Sequence, residues 1–278
     1  MKINFFTLFF LTIGLIAFFS FKGLLLAKGK DGKKAELQLK NSFINIRGGC
    51  FKMGSLTEDP SEKPVHEVCL KPFKIQQYEV TVEEYRQCIA ANKCPRPETG
   101  LKTCNFDRIA RENHPVNCVD WWMAKRYCAF IKGELPTEAQ WEFSARGANN
   151  RRYPWGDKES AFEKKGLANC KNKTCGDEYP ETAPVGSFKK GRSVFGLYDM
   201  AGNVWEWVED TFEENYYSVS PKEDPVNLKA TDYKVIRGGG WLSDSTELIS
   251  TKRLSSGSMY RSPNLGFRCA ANVSVTGN

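Results

Sequence analysis

Ten cysteines, none of them in a CxxC or CxxH pair, constrain this 278-residue chain more than any other feature. All ten follow an apolar N-terminal segment. An even number of cysteines behind an export signal is typical of disulfides formed in an oxidising compartment, whereas zinc and redox sites favour such short pairs. The spacing leaves the pairing open. Cys88 is close enough in sequence to join Cys94 or Cys104, and Cys170 to join Cys175.

The N-terminal region is apolar and then strongly basic. Residues 5–21 are almost uniformly apolar, and a second short apolar run ends at Ala27. Residues 1–27 therefore predict either a secretory signal peptide or a single membrane anchor. The apolar run is longer than in most signal peptides, which favours retention, while residues 25–27 offer a weak cleavage site. Residues 28–42 predict a lysine-rich tether.

Two features disagree about the compartment. Lysines directly after an apolar segment favour a cytoplasmic location for the chain beyond them, whereas ten cysteines without zinc or redox spacing favour export. We give the cysteines more weight. The sequence therefore predicts an exported, periplasmic or extracellular protein, anchored to the membrane if the leader is retained.

The net charge of +7 does not indicate nucleic-acid binding. Seven lysines fall in the first forty residues, which contain only Asp31 and Glu36 as acids. Of the 40 basic and 33 acidic residues in the whole chain, 33 and 31 remain beyond that segment. The remainder is too nearly neutral to bind a phosphate backbone by charge. We therefore expect no nucleic-acid partner, and the sequence leaves the oligomeric state open.

Residues 43–278 predict one domain of about 235 residues with little regular secondary structure. Apolar residues at helical spacing predict three helices, in residues 80–91, 118–131 and 135–147. Thr81, Asp120 and Thr137 are the expected N-caps, and Gly147 is an expected C-cap. Strands interrupted by glycines are predicted in 43–54 and 233–241, and mostly loop in 148–232. So much loop is normally stabilised by disulfides, aromatic clusters or metal ions.

Several motifs, read in chain order, resemble one family. They are RGGCFKMGS, EKPVHEVCL, YEVTVEEYRQC, HPVNCVDWWMAKRYC, LPTEAQWEFSARG, YPWGD, TAPVGSF, GLYDMAGNVWEWVED, VIRGGGW and NLGFRCA. These segments resemble the formylglycine-generating enzyme, or sulfatase-modifying factor, family over about residues 43 to 272. The resemblance implies an α+β fold, a single loop-rich domain that is a variant of the C-type lectin fold and is usually stabilised by calcium.

The resemblance also implies two structural calcium sites, whose oxygen ligands suit a hard cation. One set comprises the side chains of Asp199 and Glu206 with the carbonyls of Gly202 and Val204. The other comprises the side chains of Asn169 and Asp177 with the carbonyls of Cys170 and Tyr179. The alternative is that these acids are ordinary surface residues in turns. A bridge between Cys170 and Cys175 could also reshape the second set.

The catalytic site implied by the resemblance is where this chain departs from the family. The family oxidises a cysteine in a Cys-x-Pro-x-Arg segment of a sulfatase to formylglycine, using oxygen and a copper(I) ion bound by two cysteines. Alignment on Gly238-Gly239 places Ser243 and Leu248 at those positions, and Gly240 where the family has a serine. Hydroxyl and alkyl groups do not replace soft thiolates. We therefore expect no copper and no catalytic residue here.

Two further expectations rest on the resemblance. It implies a bridge between Cys128 and Cys269, while a second family bridge is lost at both ends, at Ala145 and Arg253. It also places Trp205, and less securely Trp241, near a substrate groove. The other tryptophans are expected to fill a core that lacks long helices and sheets.

Other chemistries find little support in the sequence. Two histidines, His66 and His114, cannot form a three-histidine iron site, and we expect both to be structural. No G-x-S-x-G elbow accompanies a serine nucleophile. No spacing of carboxylates singles out an acid–base pair. The sequons at Asn172 and Asn272 matter only if the source organism glycosylates.

The sequence thus predicts an extracytoplasmic sulfatase-modifying-factor-like domain without copper-dependent oxidase chemistry. We expect it to act as a binding or scaffold module for a peptide or an envelope partner. The alternative is an oxidase that generates formylglycine, or performs another oxidation, through a non-standard site. A third reading is carbohydrate recognition, but that requires calcium open to sugar hydroxyls, whereas the implied ligand sets are closed.

Overall fold

The computed structural model describes residues 41–97, 100–157, 166–171, 175 and 177–273. The predicted leader, residues 28–40 of the predicted tether, the whole sequon at Asn172 and the last residue of the sequon at Asn272 lie outside them. Asn41, predicted as tether, is buried, and its side-chain amide donates to the carbonyl oxygens of Tyr78 at 2.9 Å and Glu79 at 3.3 Å. The folded part therefore includes residue 41. No helix of the described part is long and apolar enough to cross a membrane.

Three helices form where the apolar spacing predicts them: α1 spans Val82–Ala90, α2 spans Trp121–Phe130 and α3 spans Glu138–Arg146. Their ends follow from side-chain capping. The Thr137 hydroxyl accepts from the Gln140 backbone N–H at 3.1 Å, and the Gln140 side chain accepts from the Thr137 N–H at 3.0 Å. α1 has the same reciprocal box, and Asp120 caps α2. α3 stops at Gly147, whose φ of +67° favours glycine.

In the part of the chain that the structure describes, nine short strands form three small sheets. The strands are β1 (Phe43–Ile46), β2 (Gly49–Met53), β3 (His66–Leu70), β4 (Phe73–Gln76), β5 (Trp205–Thr211), β6 (Tyr233–Arg237), β7 (Arg253–Gly257), β8 (Leu265–Phe267) and β9 (Ala270–Asn272). The sheets have the orders β1-β4-β9, β2-β3 and β7-β6-β5-β8, and only the β5–β8 pair is parallel. The described residues therefore form a mixed α+β architecture with short elements.

The prediction of mostly loop in 148–232 missed β5. This strand lies between β6 and β8, and six of its seven residues are buried. A strand buried on both faces has no alternation of apolar and polar residues for a pattern to detect. It also contains Glu206, Glu209 and Asp210, which are unusual inside a sheet.

The core is dominated by aromatic rings, as expected for a domain with short elements. Tyr127 lies 5.6 Å from Tyr85 and 5.5 Å from Phe267, measured between ring centroids. A second cluster packs α3 against β1–β4 through the fully buried Trp141 and its neighbours. Trp122 departs from the core prediction, because 51% of it is exposed.

All ten cysteines pair, which gives five disulfides and no free thiol. Cys128 joins Cys269, as the family resemblance implied. Of the pairings left open by spacing, Cys88 joins Cys94 and Cys170 joins Cys175, while Cys104 joins Cys118 and Cys50 joins Cys69. Five bridges fit folding in an oxidising compartment.

Arg253, at one lost cysteine position, is the centre of a buried ion network. Its guanidinium donates to both carboxylate oxygens of Glu138, each at 2.8 Å, and to the carbonyl oxygens of Ser61 and Glu213. Arg237 joins the network through the same carboxylate. Charge-assisted hydrogen bonds therefore connect β7 to α3 at this point of the fold.

Candidate functional site

Residues 238–248 form the loop that would carry the copper-binding thiols. Ser243 is buried, and its hydroxyl oxygen accepts a hydrogen bond from the Gly240 N–H at 3.1 Å. The Ser243 N–H in turn donates to the Gly240 carbonyl at 2.9 Å. The hydroxyl thus closes a tight turn.

Leu248 is fully buried at the second thiol position. It belongs to an apolar cluster whose other members are Tyr153, Ala168, Cys170, Cys175, Ala201 and Ile249. A Cβ added to Gly239 would come within 2.5 Å of its Cδ2 atom. An alkyl side chain and a disulfide therefore fill the space around position 248.

The third departure is Gly240, where the side chain of Asn264, in the turn before β8, occupies the space that a side chain would need. A Cβ at this position would lie 2.1 Å from the Asn264 side-chain oxygen, which accepts a hydrogen bond from the Leu242 N–H at 3.3 Å. A serine could not enter without displacing Asn264. The loop is therefore packed for glycine, serine and leucine at these three positions, and it presents no thiolate for copper(I).

The two histidines differ in their surroundings. His114 is buried, and its Nδ1 atom lies 3.0 Å from an Arg111 nitrogen and 3.1 Å from the Thr182 hydroxyl. Burial, followed by the Arg111 charge, lowers the pKa of His114 to about 4. Such an imidazole stays neutral near pH 7. His66 contacts the ring of Tyr217, with ring centroids 4.8 Å apart.

The predicted calcium set around Asn169 contains an unpaired buried acceptor. The Asn169 side-chain oxygen is buried and has no hydrogen-bond partner among the described residues, while its amide nitrogen donates to the Glu181 carbonyl at 2.8 Å. The Asp177 carboxylate accepts from the N–H groups of Cys170 at 3.1 Å and Tyr179 at 2.9 Å. Burial raises the pKa of Asp177. An unpaired oxygen beside a desolvated carboxylate suits a hard cation.

The set around Asp199 contains a third carboxylate that the sequence did not single out. Glu206 forms a two-pronged ion pair with Arg268, with both N–O distances 2.7 Å, and accepts from the Trp141 indole at 2.9 Å. Glu79 is fully buried close by, and burial, then Asp199 and Glu206, raise its pKa well above the usual range. Burial also raises the pKa of Asp199 to about 6. Three carboxyl groups thus interact with the one guanidinium of Arg268, which pairs directly with Glu206 alone, so burial favours a bound proton or a cation at the other two.

Asn203 joins the two predicted ligand sets. Its side-chain oxygen accepts from the Asn169 amide at 3.2 Å, and its amide donates to Glu79 at 2.6 Å. At neighbouring Gly202, with φ +86°, a Cβ would lie 2.2 Å from the Asn169 carbonyl oxygen. No group of three or more His, Cys, Asp or Glu with metal-site geometry occurs among the described residues, so both calcium ligand sets stay predictions from the family resemblance.

The two predicted groove tryptophans differ in exposure. Trp205 begins β5 and is only 5% exposed, so it presents almost no surface to a partner. Trp241 is partly exposed, and its indole N–H donates to the Pro263 carbonyl at 3.1 Å. Trp205 is buried because it lies inside a sheet, where its backbone N–H donates to the Asn264 carbonyl at 2.9 Å. Only Trp241 of the pair is available for binding.

An exposed apolar surface extends from Trp241 along the loop 258–264. Trp241 and Leu242 bond to Pro263 and Asn264 at one end of this loop, while the Trp121 N–H donates to the Ser258 carbonyl at the other. Four large residues along it are each 51–65% exposed, namely Trp122, Leu242, Met259 and Tyr260. We call this surface the aromatic face, and it comprises Trp122, Trp241, Leu242, Met259 and Tyr260.

Comparison with known proteins agrees with this fold. Residues 29–273 match the family described as "Sulfatase-modifying factor enzyme 1-like domain". The "Formylglycine-generating enzyme" of Streptomyces coelicolor is 30% identical to this chain, over 90% of this chain and 95% of the relative. The chain therefore belongs to the sulfatase-modifying factor family.

Relatives within the family differ in their stated activity. The "Inactive C-alpha-formylglycine-generating enzyme 2" of Bos taurus is 28% identical, over 84% of this chain and 88% of the relative. The "Serine/threonine-protein kinase pkn1" of Chlamydia caviae is 32% identical over 84% of this chain, and the chain spans only 38% of that relative's length. Among solved structures, PvdO from Pseudomonas aeruginosa is 28% identical with a TM-score of 0.72, covering 83% of this chain and 94% of PvdO. These matches support the loop-rich, C-type-lectin-like fold.

Proposed function

We propose that this chain is an extracytoplasmic member of the sulfatase-modifying factor family that has no copper-dependent oxidase chemistry. The observation that carries the proposal is the packing of residues 240–248: the Ser243 hydroxyl closes a turn, and Leu248 is buried among apolar groups. All ten cysteines are in disulfides, so no thiol elsewhere substitutes for the two that are missing.

The activity that remains is binding, and the aromatic face is its site. Large aromatic and apolar side chains dominate interaction hot spots, because they bury much area with few rotatable bonds. Tyr260 and Met259 are 55% and 65% exposed, on the loop whose Pro263 carbonyl accepts from the Trp241 indole. The partner is a peptide or an envelope protein that presents apolar side chains, and the domain acts as a scaffold for it.

Photocrosslinking tests the binding role. A photoreactive amino acid at position 260 of the full chain, expressed in its own compartment, is expected to give a discrete adduct with one partner. Val219, which is 75% exposed but outside the aromatic face, is the matched control. Adducts of equal yield and pattern from both positions, or none from position 260, would contradict the binding site.

The export proposal is supported by the five disulfides and by the apolar leader of the sequence. The leader acts as a cleaved signal peptide or as a retained anchor. Separation of membrane and soluble fractions, with N-terminal sequencing of the mature chain, distinguishes these alternatives. A mature chain with ten reduced cysteines in the cytoplasm would contradict export.

Two structural calcium ions complete the proposal. One would bind through Asn169 and Asp177 with the carbonyls of Cys170 and Tyr179. The other would bind through Asp199, Glu206 and the carbonyls of Gly202 and Val204. Calcium would neutralise the carboxylates that burial otherwise penalises and fix these loops; it has no role in a reaction.

Native mass spectrometry counts the calcium ions directly. Two ions per chain are expected for the native protein and one for Asp177→Ala. Glu223→Ala, which changes an acid outside both ligand sets, is expected to leave two. An unchanged count in Asp177→Ala would contradict the assignment of the Asn169 set.

The alternative function, oxidation of a protein cysteine by a non-standard site, is favoured by the names of relatives such as the one from Streptomyces coelicolor. The full chain with its disulfides formed is incubated with copper(I), oxygen and a Cys-x-Pro-x-Arg peptide, and the product is followed by mass spectrometry. No conversion is expected. Conversion by the native protein would establish the alternative and contradict the proposal.

A further inference from the structure

One disulfide differs from the other four in exposure. Eight of the ten cysteines, those of the four other bridges, are at most 9% exposed, and Cys69 is 8% exposed. Cys50 is exposed and is the partner of Cys69. Thiol–disulfide exchange requires an external thiolate to reach a sulfur atom, so access divides the five bridges into one that is open and four that are closed.

The position of Cys50 explains its exposure. Cys50 and Cys69 are direct partners in the register of β2 and β3, so the bridge joins the two strands of a sheet in which β2 pairs with no other strand of the described residues. Gly48 and Gly49 precede Cys50, and neither has a side chain that would screen it. A Cβ at Gly49 would contact only the Phe143 ring, at 3.8 Å.

The hairpin does not depend on the bridge for its register. Five residue pairs join β2 to β3, and the hairpin packs against α3 through Phe51 and Phe143, whose ring centroids are 5.2 Å apart. Cys69 is further fixed through its backbone: its N–H donates to the Lys222 carbonyl at 2.8 Å, and its carbonyl accepts from the Asp224 N–H at 2.9 Å. The strands therefore remain paired when the bridge opens.

We propose that Cys50–Cys69 is a thiol–disulfide exchange site whose reaction partner is a dithiol. A partner thiolate attacks the Cys50 sulfur, the S–S bond breaks, and Cys69 leaves as a thiolate that takes up a proton. The second thiol of the partner then attacks the mixed disulfide, which releases Cys50 as a thiol and oxidises the partner to a disulfide. Two electrons pass from the dithiol to the bridge, and the reverse reaction re-forms it.

Differential alkylation of the full native chain tests this assignment. The protein is exposed to millimolar dithiothreitol for increasing times, new thiols are blocked with iodoacetamide, and peptides are quantified by mass spectrometry. Labelling of Cys50 and Cys69 is expected at least tenfold faster than labelling of any other cysteine, while near-ultraviolet circular dichroism stays native. Earlier labelling of another bridge, or simultaneous labelling of all five with loss of the native spectrum, would overturn the proposal.

Two matched variants test whether the fast labelling phase comes from the Cys50–Cys69 bridge. Cys50→Ala/Cys69→Ala is expected to lose the fast labelling phase and retain the slow one. Cys88→Ala/Cys94→Ala removes a buried bridge and is expected to retain the fast phase. If either variant fails to fold, the labelling order of the native chain still decides the question.

Discussion

The replacement of Arg253 by methionine should reveal how much its buried ion network contributes to the free energy of unfolding. In the native chain the guanidinium carbon of Arg253 lies 4.5 Å from the ring centroid of Tyr217. Methionine keeps most of the aliphatic stem but lacks the guanidinium. It removes two 2.8 Å bonds to Glu138. It also removes the donors to the carbonyls of Ser61 and Glu213.

The expected cost depends on the partners that Glu138 retains. Its carboxylate stays buried, with Arg237 at 3.2 Å and the Tyr217 hydroxyl at 3.2 Å as its remaining side-chain partners. Removing one partner of a buried ion pair costs about 3–5 kcal/mol, because the other charge is left undercompensated. For a domain of this size, about 2–4 °C of melting temperature per kcal/mol predicts a decrease of about 6–20 °C.

Urea unfolding with disulfides intact measures the free energy directly. Arg96→Met is the matched control, because Arg96 pairs with Asp107 at the surface, where the side chains are 65% and 38% exposed, and should cost at most about 1 kcal/mol. The double variant Arg253→Met/Glu138→Met should be less destabilised than the sum of the two single variants. An Arg253→Met cost equal to that of Arg96→Met, or strictly additive single effects, would refute the reasoning.

Two further predictions concern one buried acid and one helix cap. Burial raises the pKa of Glu62 to about 7, so the native state keeps its proton while the unfolded state loses it near the ordinary pKa. The free energy of unfolding should therefore fall by up to about 3 kcal/mol between pH 4.5 and pH 7. The variant Glu62→Gln should remove this part of the pH dependence. An unchanged pH profile in Glu62→Gln would count against this. Thr81→Ala removes the hydroxyl that accepts from the Glu84 N–H at 3.3 Å and should cost about 0.5–2 kcal/mol in urea unfolding; Thr57→Ala, at an exposed loop position, should cost less.

The helices were predictable because their signals are local. A Thr or Asp cap, apolar residues at helical spacing and a terminal glycine lie within about ten residues of one another, and α1, α2 and α3 form where those signals lie. The Cys128–Cys269 bridge, by contrast, spans 141 residues and came only from the family resemblance. Spacing alone could not choose between Cys94 and Cys104 as the partner of Cys88.

The rest depended on tertiary contacts that no local pattern encodes. β5 is buried on both faces and carries acids whose charges are compensated by residues far along the chain, such as Arg268 with Glu206. Glu79 approaches Asn203 across 124 residues. Glu79 lies among other polar residues between Gln76 and Glu84, so no local pattern singled it out. Trp205 was expected near a groove, but its strand position places it in the core.

The central claim, that this family member lacks a copper site, is tested most directly by copper(I) affinity. The full chain with its disulfides formed competes with a chromophoric chelator for copper(I) under anaerobic conditions, beside the Ser243→Cys/Leu248→Cys variant with both new thiols reduced. The native protein is expected to leave the chelator saturated, because it presents a bonded hydroxyl and a buried alkyl group at these positions. Stoichiometric withdrawal of copper(I) by the native protein would contradict the account.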